Sequence, residues 1–142
     1  MPAIIRAYGT HFDVDAYLKD CALPVCAVKR RNDLVFPVSG PDGRRHEQSG
    51  VHVVVSDAGF DDFPRQVAEA TAFLTTHERE LRRLSAFPGV EPMVLDFGIA
   101  RRDVPIQCDR LPSDLLQLAG ALAIDIELSQ YPPAEPDARS GE

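Results

Sequence analysis

Three stretches of the chain alternate apolar and polar positions with a period of two. Val51, Val53 and Val55 alternate with His52, Val54 and Ser56; Met93, Leu95, Phe97 and Ile99 alternate with Val94, Asp96, Gly98 and Ala100; Ile124, Ile126 and Leu128 alternate with Asp125, Glu127 and Ser129. That period predicts strands with one face buried more deeply than the other. Residues 3–9, short and apolar before a polar turn, predict a first strand, and Val25 to Lys29 and Leu34 to Val38 predict two brief ones.

Helical spacing fills the gaps between these strands. Asp13 is a candidate N-cap, with Phe12 before it and Tyr17 after it at the spacing of a hydrophobic staple, and Pro24 ends that segment. The longest helix is predicted over 62–86, with Pro64 in its first turn and Val67, Ala70, Leu74, Leu81 and Leu84 forming one apolar stripe. Thr75 and Glu78 have the spacing of a capping box, so the segment is either one helix or two joined at a bend. His77 falls in the stripe in the first case and in an exposed first turn in the second. Pro88-Gly89 closes this region, and Leu111, Leu115, Leu118 and Leu122 predict a further helix. Ser39 to Gly43 reads as a turn, residues 39–50 as a solvated loop, and residues 131–142, rich in Pro, Asp, Glu and Gly, as a mobile tail with nothing to bury. The expected fold is one α+β domain over residues 1–130, a two-layer sandwich with helices packed on one face of a largely antiparallel sheet.

Composition agrees with a packed core and narrows the function. The 142 residues are 44% hydrophobic and 26% charged, the proportions of an ordinary globular chain. No apolar run approaches the roughly 18 residues that a membrane helix needs. Cys21, Cys26 and Cys108 form an odd set without the two-residue spacing of zinc or redox motifs; they predict buried, reduced thiols and a cytoplasmic protein. The net charge of −7 disfavours broad capture of nucleic acid. It is unevenly spread, because residues 29–46 alone carry +3, so a basic hairpin is expected to project from an acidic body. Phe36 is the one aromatic residue among those basic charges, too little for a stacking platform.

Several pieces in order carry a resemblance: Phe12-Asp13-Val14-Asp15, Val53-Val54-Val55-Ser56-Asp57, Leu95-Asp96-Phe97-Gly98, Asp109-Arg110-Leu111-Pro112, Leu118-Ala119-Gly120, and Ile124 to Ser129 before Tyr131-Pro132. From Phe12 to Pro132 the chain resembles a family of small bacterial domains of unknown function. That resemblance implies a stand-alone bacterial α+β domain and assigns no catalytic residue. By analogy with other small acidic bacterial domains, it suggests an immunity or partner-binding role.

Most familiar chemistries are poorly supported. Gly40 and Gly43 lie in a turn without a phosphate-binding pattern, and His11, His46, His52 and His77 are scattered without ligand spacing, so neither a cofactor nor a metal is expected. Glu78 with Arg82, and Asp61-Asp62 at a helix start, serve helix stability. The remaining candidate is the second face of the sheet. If the aliphatic sets point to the helices, His52, Ser56, Asp96, Asp125 and Glu127 converge on the opposite surface. The leading expectation is a non-catalytic protein-binding module, in which that face meets a basic protein partner. The alternatives are a small hydrolase or isomerase using His52 with Asp96 or Glu127, and a homodimer stacked through the open sheet face, where Val54, Val94 and Ala100 leave room.

Overall fold

A computed structural model describes residues 2–133 of the chain. The order of elements follows from the patterning: β1 (Ala3–Gly9), α1 (Val14–Leu18), β2 (Val25–Lys29), β3 (Ser49–Ser56), α2 (Phe63–Thr76), α3 (Glu78–Ala86), β4 (Met93–Ala100), α4 (Ser113–Ala121) and β5 (Ile124–Tyr131). The five strands form one sheet in the order β2-β3-β1-β4-β5. β1 lies between β3 and β4 and is antiparallel to both, β2 pairs antiparallel with β3, and β5 runs parallel to β4 after the α4 crossover. The fold is therefore α+β with a mostly antiparallel sheet. No described helix is long and apolar enough to cross a membrane.

One face of the sheet meets the helices. Ala3, Ile5 and Ala7 of β1, Val51 and Val53 of β3, and Met93, Leu95, Phe97 and Ile99 of β4 are buried there. They share a core with Val67, Ala70 and Leu74 of α2, Leu81 and Leu84 of α3, and Leu115 and Ala119 of α4. Each fully buried aliphatic side chain contributes about 1.5–3 kcal/mol relative to exposure, so this layer is the main source of stability. Along β5 the cover thins: Ile124 is buried but Leu128 is 38% exposed, because the nine-residue α4 is shorter than the strand it flanks.

Local signals fix the ends of the helices. Asp13 Oδ1 accepts the Ala16 amide at 3.1 Å, and the Phe12 and Tyr17 rings meet edge to face at 6.0 Å, with Phe87 completing the cluster. Asp62 Oδ1 accepts the Arg65 amide at 3.2 Å and so caps the first turn of α2. The predicted long helix is two helices, but the break falls at His77 and no capping box forms at Thr75. Thr75 Oγ1 instead donates to the Thr71 carbonyl at 3.0 Å, a back-bond that keeps Thr75 inside α2. Glu78 pairs with Arg82 at 2.8 Å, as expected from their spacing. His77 is half-buried and stacks on Phe73 at 4.3 Å, between the two situations expected for it.

Three expectations are corrected. Leu34 to Val38 is no strand: Leu34 makes one isolated bridge to Arg45, and Pro37, which has no amide proton for a ladder, opens a 3₁₀ turn over Pro37–Ser39. The thiols are not buried: Cys21 is half-buried, while Cys26 and Cys108 are exposed. Cys26 sits at an irregularity in the edge strand β2, between Val25 and Ala27, and this turns it outward. Tyr131 belongs to β5 rather than to a tail: its carbonyl accepts the Arg101 amide at 2.9 Å, and its ring meets Phe60 at 5.2 Å. The rest of the expected tail, from residue 134 on, lies outside the described residues.

Glycine is required where β1 passes the turn after α3. Gly89 has φ +85°, and a Cβ there would lie 2.3 Å from the His11 carbonyl oxygen. Gly9 faces the same crowding, with a Cβ position 1.9 Å from the Gly89 oxygen.

Candidate functional site

Among the described residues no helix lies over the second face of the sheet, and the strand registers decide what shares it. Arg6 of β1 lies opposite His52 of β3 on one side and Val94 of β4 on the other, while Ile4 lies opposite Val54 and Asp96. Across the parallel pair, Asp125 is level with Val94 and Glu127 with Asp96. Residues directly opposite one another project to the same side. His52, Asp96, Asp125 and Glu127 therefore do share one face, as the alternation predicts.

Ser56 does not join them. The β1–β3 register shifts between Ala3 and Ile4, so Ser56 pairs with Ala3 on the helix side. There it is 3% exposed, its Oγ accepts the Ala58 amide at 3.1 Å, and it bonds to Glu69 of α2. One extra residue in one strand reverses the direction of every later side chain, and period-two reasoning cannot anticipate that reversal.

The centre of the face is an ion network built on Arg6. Its Nη1 donates to Asp96 Oδ2 at 3.1 Å and its Nη2 to Glu127 Oε2. Ser129 Oγ donates to the other Asp96 oxygen at 2.6 Å. Asp96, expected to be exposed, has a side chain only 11% exposed, and this burial is tolerable because both oxygens are paired. Glu127 is half exposed, and Asp125 is exposed. Arg6 and Ser129 are the members of the network that the candidate set missed. The signal for Arg6 was available: Ala3, Ile5 and Ala7 are the buried set of β1, which sends Ile4, Arg6 and Tyr8 to the other side.

His52 stands apart from the carboxylates. Among the described residues no hydrogen bond joins its ring to an acid, and β1 with Arg6 separates it from Asp96. Burial first, then the positive charges of Lys29 and Arg6, hold its pKa below the usual histidine value. Without a carboxylate beside it, the imidazole lacks the partner that orients a catalytic histidine. No group of three or more His, Cys, Asp or Glu side chains placed to hold a metal occurs among the described residues.

Both ends of the face are walled. At one end the Phe60 ring lies over Gly98, where a Cβ would come within 2.8 Å of it, and it packs against Tyr131. Gln66, fully buried in α2, donates to the Gly59 and Gly98 carbonyls at 2.9 and 2.8 Å and ties this wall to the sheet. At the other end the β2–β3 loop arches over Tyr8, Lys29 and Gly50. Between the walls lies a shallow trough in which the half-buried Ile4, Val54 and Val94 sit beside the Arg6 network. Compared with known proteins, the chain matches no family model, no curated protein and no solved structure.

Proposed function

We propose that this protein is a non-catalytic binding module whose open sheet face receives a protruding helix or hairpin of another protein. The observation that carries this reading is the trough itself: half-buried Ile4, Val54 and Val94 lie beside the Arg6 ion network, and among the described residues no helix lies over them. Apolar side chains interleaved with satisfied polar groups are common in protein interfaces. The exposed Asp125 and half-exposed Glu127 along β5 favour a partner with basic side chains on that side, in keeping with the acidic chain as a whole. An immunity-type role, in which an acidic protein masks a basic one, is the specific form that the net charge supports. Three free thiols favour a reducing, cytoplasmic setting.

A hydrolase or isomerase using His52 with Asp96 or Glu127 is less well supported, since Arg6 occupies both carboxylates and stands between them and the imidazole. A homodimer by face-to-face stacking has to pass the Phe60 wall and the arched loop. The test is capture from a lysate of the source cells, followed by titration of the purified partner against the parent, Val94→Lys, and Arg79→Ala on an exposed helix position. Binding lost in Val94→Lys and kept in Arg79→Ala supports the trough. Equal binding by all three removes it, and concentration-dependent self-association abolished by Val94→Lys replaces the partner with a second copy.

A further inference from the structure

A cleft of about 370 Å³ opens between the end of the uncovered face and the arched loop joining β2 to β3. Arg6, Lys29 and His52 line it from the sheet, and Arg44, Arg45 and His46 from the loop. Glu47 is the one carboxylate on its wall. The chain carries 22 acidic side chains against 15 Lys and Arg, yet four of those cations and two of its four histidines meet at this one concavity. Charges that only maintain solubility are best scattered, because like charges repel. A cleft lined by one sign focuses the potential on whatever enters it.

Arg6 is paired with Asp96 and Glu127, but the other three cations are not neutralised from within the described residues. Among the described residues none of the seven ion pairs involves Lys29, Arg44 or Arg45. Arg45 is instead held by neutral groups, donating to the Asn32 carbonyl at 2.7 Å and the Pro41 carbonyl at 3.2 Å. Those bonds fix the guanidinium without cancelling its charge, so less rotamer freedom is left to lose on binding. The arch is ordered in the same way: the Asn32 amide donates to the His46 carbonyl and the His46 amide to the Asp33 carbonyl, each at 2.9 Å, and the Val35 amide donates to the Arg44 carbonyl at 2.8 Å.

We propose that this cleft binds the phosphate monoester of a small organic molecule, with the dianion seated among Lys29, Arg44 and Arg45 and the imidazoles of His46 and His52 beside it. Guanidinium groups match the oxygens of phosphate in a planar, two-pronged geometry, and lysine adds a point charge. Tyr8 and Val35 offer the ester's organic part a limited apolar wall. The volume suits a compact molecule, and the lining lacks the series of aromatic rings on which a nucleic-acid strand stacks. Burial contributes most to the lowered pKa of His52, and the positive field of Lys29 on β2 and Arg6 on β1, which the ligand would relieve, adds to it.

The test is a titration of the full chain with glycerol 3-phosphate, followed by amide NMR at fixed ionic strength, with sodium chloride, citrate and a ten-nucleotide single strand as comparators. Saturable shifts confined to Lys29, residues 44–48 and His52 are expected, together with a His52 titration midpoint that rises on binding. The Lys29→Gln/Arg44→Gln variant should bind about tenfold more weakly with an unchanged melting temperature, since both side chains are exposed. Arg44→Gln alone serves if the double variant does not fold. Shifts no larger than those from chloride, or equal binding by the variant, would overturn the proposal. Citrate binding as tightly would reduce the cleft to an unselective anion trap and defeat the phosphate assignment, and tighter binding of the oligonucleotide would replace the small molecule with a nucleic acid.

Discussion

Replacing Arg6 by Met keeps the aliphatic stem that packs on the sheet and removes the charge that binds Asp96 and Glu127. Breaking a fully buried ion pair costs about 3–5 kcal/mol, whereas exposed pairs are worth about 0–1 kcal/mol. The Arg6–Asp96 pair lies between these limits, with side chains 31% and 11% exposed, and Glu127, at 51%, belongs to the weaker class. A loss of about 2 kcal/mol follows for Arg6→Met, or about 8 °C in melting temperature for a chain of this size. Asp96→Asn alone should cost about 1 kcal/mol, because Arg6 keeps Glu127 and Ser129 keeps an oxygen to donate to. The double variant leaves no buried charge unpaired, so it should lose about 2 rather than about 3 kcal/mol, a coupling of about 1 kcal/mol. Urea unfolding of the four proteins, followed by circular dichroism, measures that coupling. Additive losses to within about 0.4 kcal/mol would refute the argument, since Asp96 would then not depend on Arg6.

Three further outcomes are expected. Ala123, just beyond α4, has φ +57°, a left-handed conformation that costs an L side chain about 1 kcal/mol, so Ala123→Gly should raise the melting temperature by a few degrees; a lower value would count against strain at this position. Glu80 accepts from the Tyr17 hydroxyl at 2.9 Å and pairs with Arg83; burial works to raise its pKa, but its bonds to Arg83, Tyr17 and the Ala22 amide outweigh burial and hold it below the usual value. Its contribution is therefore present above the unfolded pKa and lost as pH falls through the folded one, and Glu80→Gln should flatten the acid limb of stability against pH; an unchanged limb would assign acid sensitivity to other groups. Gln66→Leu leaves the Gly59 and Gly98 carbonyls without their side-chain donor, for a loss of about 2 kcal/mol in chemical denaturation, and a neutral result would mean that water replaces the amide.

The strands and their faces were legible in the sequence wherever alternation was long and the register regular. Val51 to Val55, Met93 to Ile99 and Ile124 to Glu127 placed His52, Asp96, Asp125 and Glu127 together because each strand lies in the sheet without interruption at those positions. Ser56 was misplaced because a shift of one residue leaves no trace in composition or period. Arg6 is harder to place, because the short stretch Ala3 to Gly9 is apolar on both faces apart from Arg6 and the Tyr8 hydroxyl, so its alternation is weak. The apolar character of Cys21, Cys26 and Cys108 predicted burial, but exposure is decided by position in the fold, and two of them lie on an edge strand and in a loop. The cleft was only half legible. The charge run 29–46 is plain, but the arch that folds it back over Tyr8 and His52 depends on bonds between Asn32, Asp33 and His46, and on Arg45 reaching two carbonyls.

Arg6 is common to the trough and the cleft, and its pairing determines how the two share the sheet. Its two terminal nitrogens already bond Asp96 and Glu127, and those carboxylates offset its charge, so an anion entering the cleft gains less from Arg6 than from an unpaired cation. Drawing the guanidinium away from Asp96 is unfavourable, since a carboxylate that is 11% exposed would lose its charged partner. Affinity for an anion must then come from Lys29, Arg44 and Arg45, which pair with no carboxylate among the described residues. Occupancy of the trough depends instead on Ile4, Val54, Val94 and the carboxylates of β5. Substitutions at Lys29 and Arg44 should therefore act on the cleft alone, and Val94→Lys on the trough alone. Arg6→Met should disturb both through the loss of the fold's central ion network rather than through a contact with either ligand.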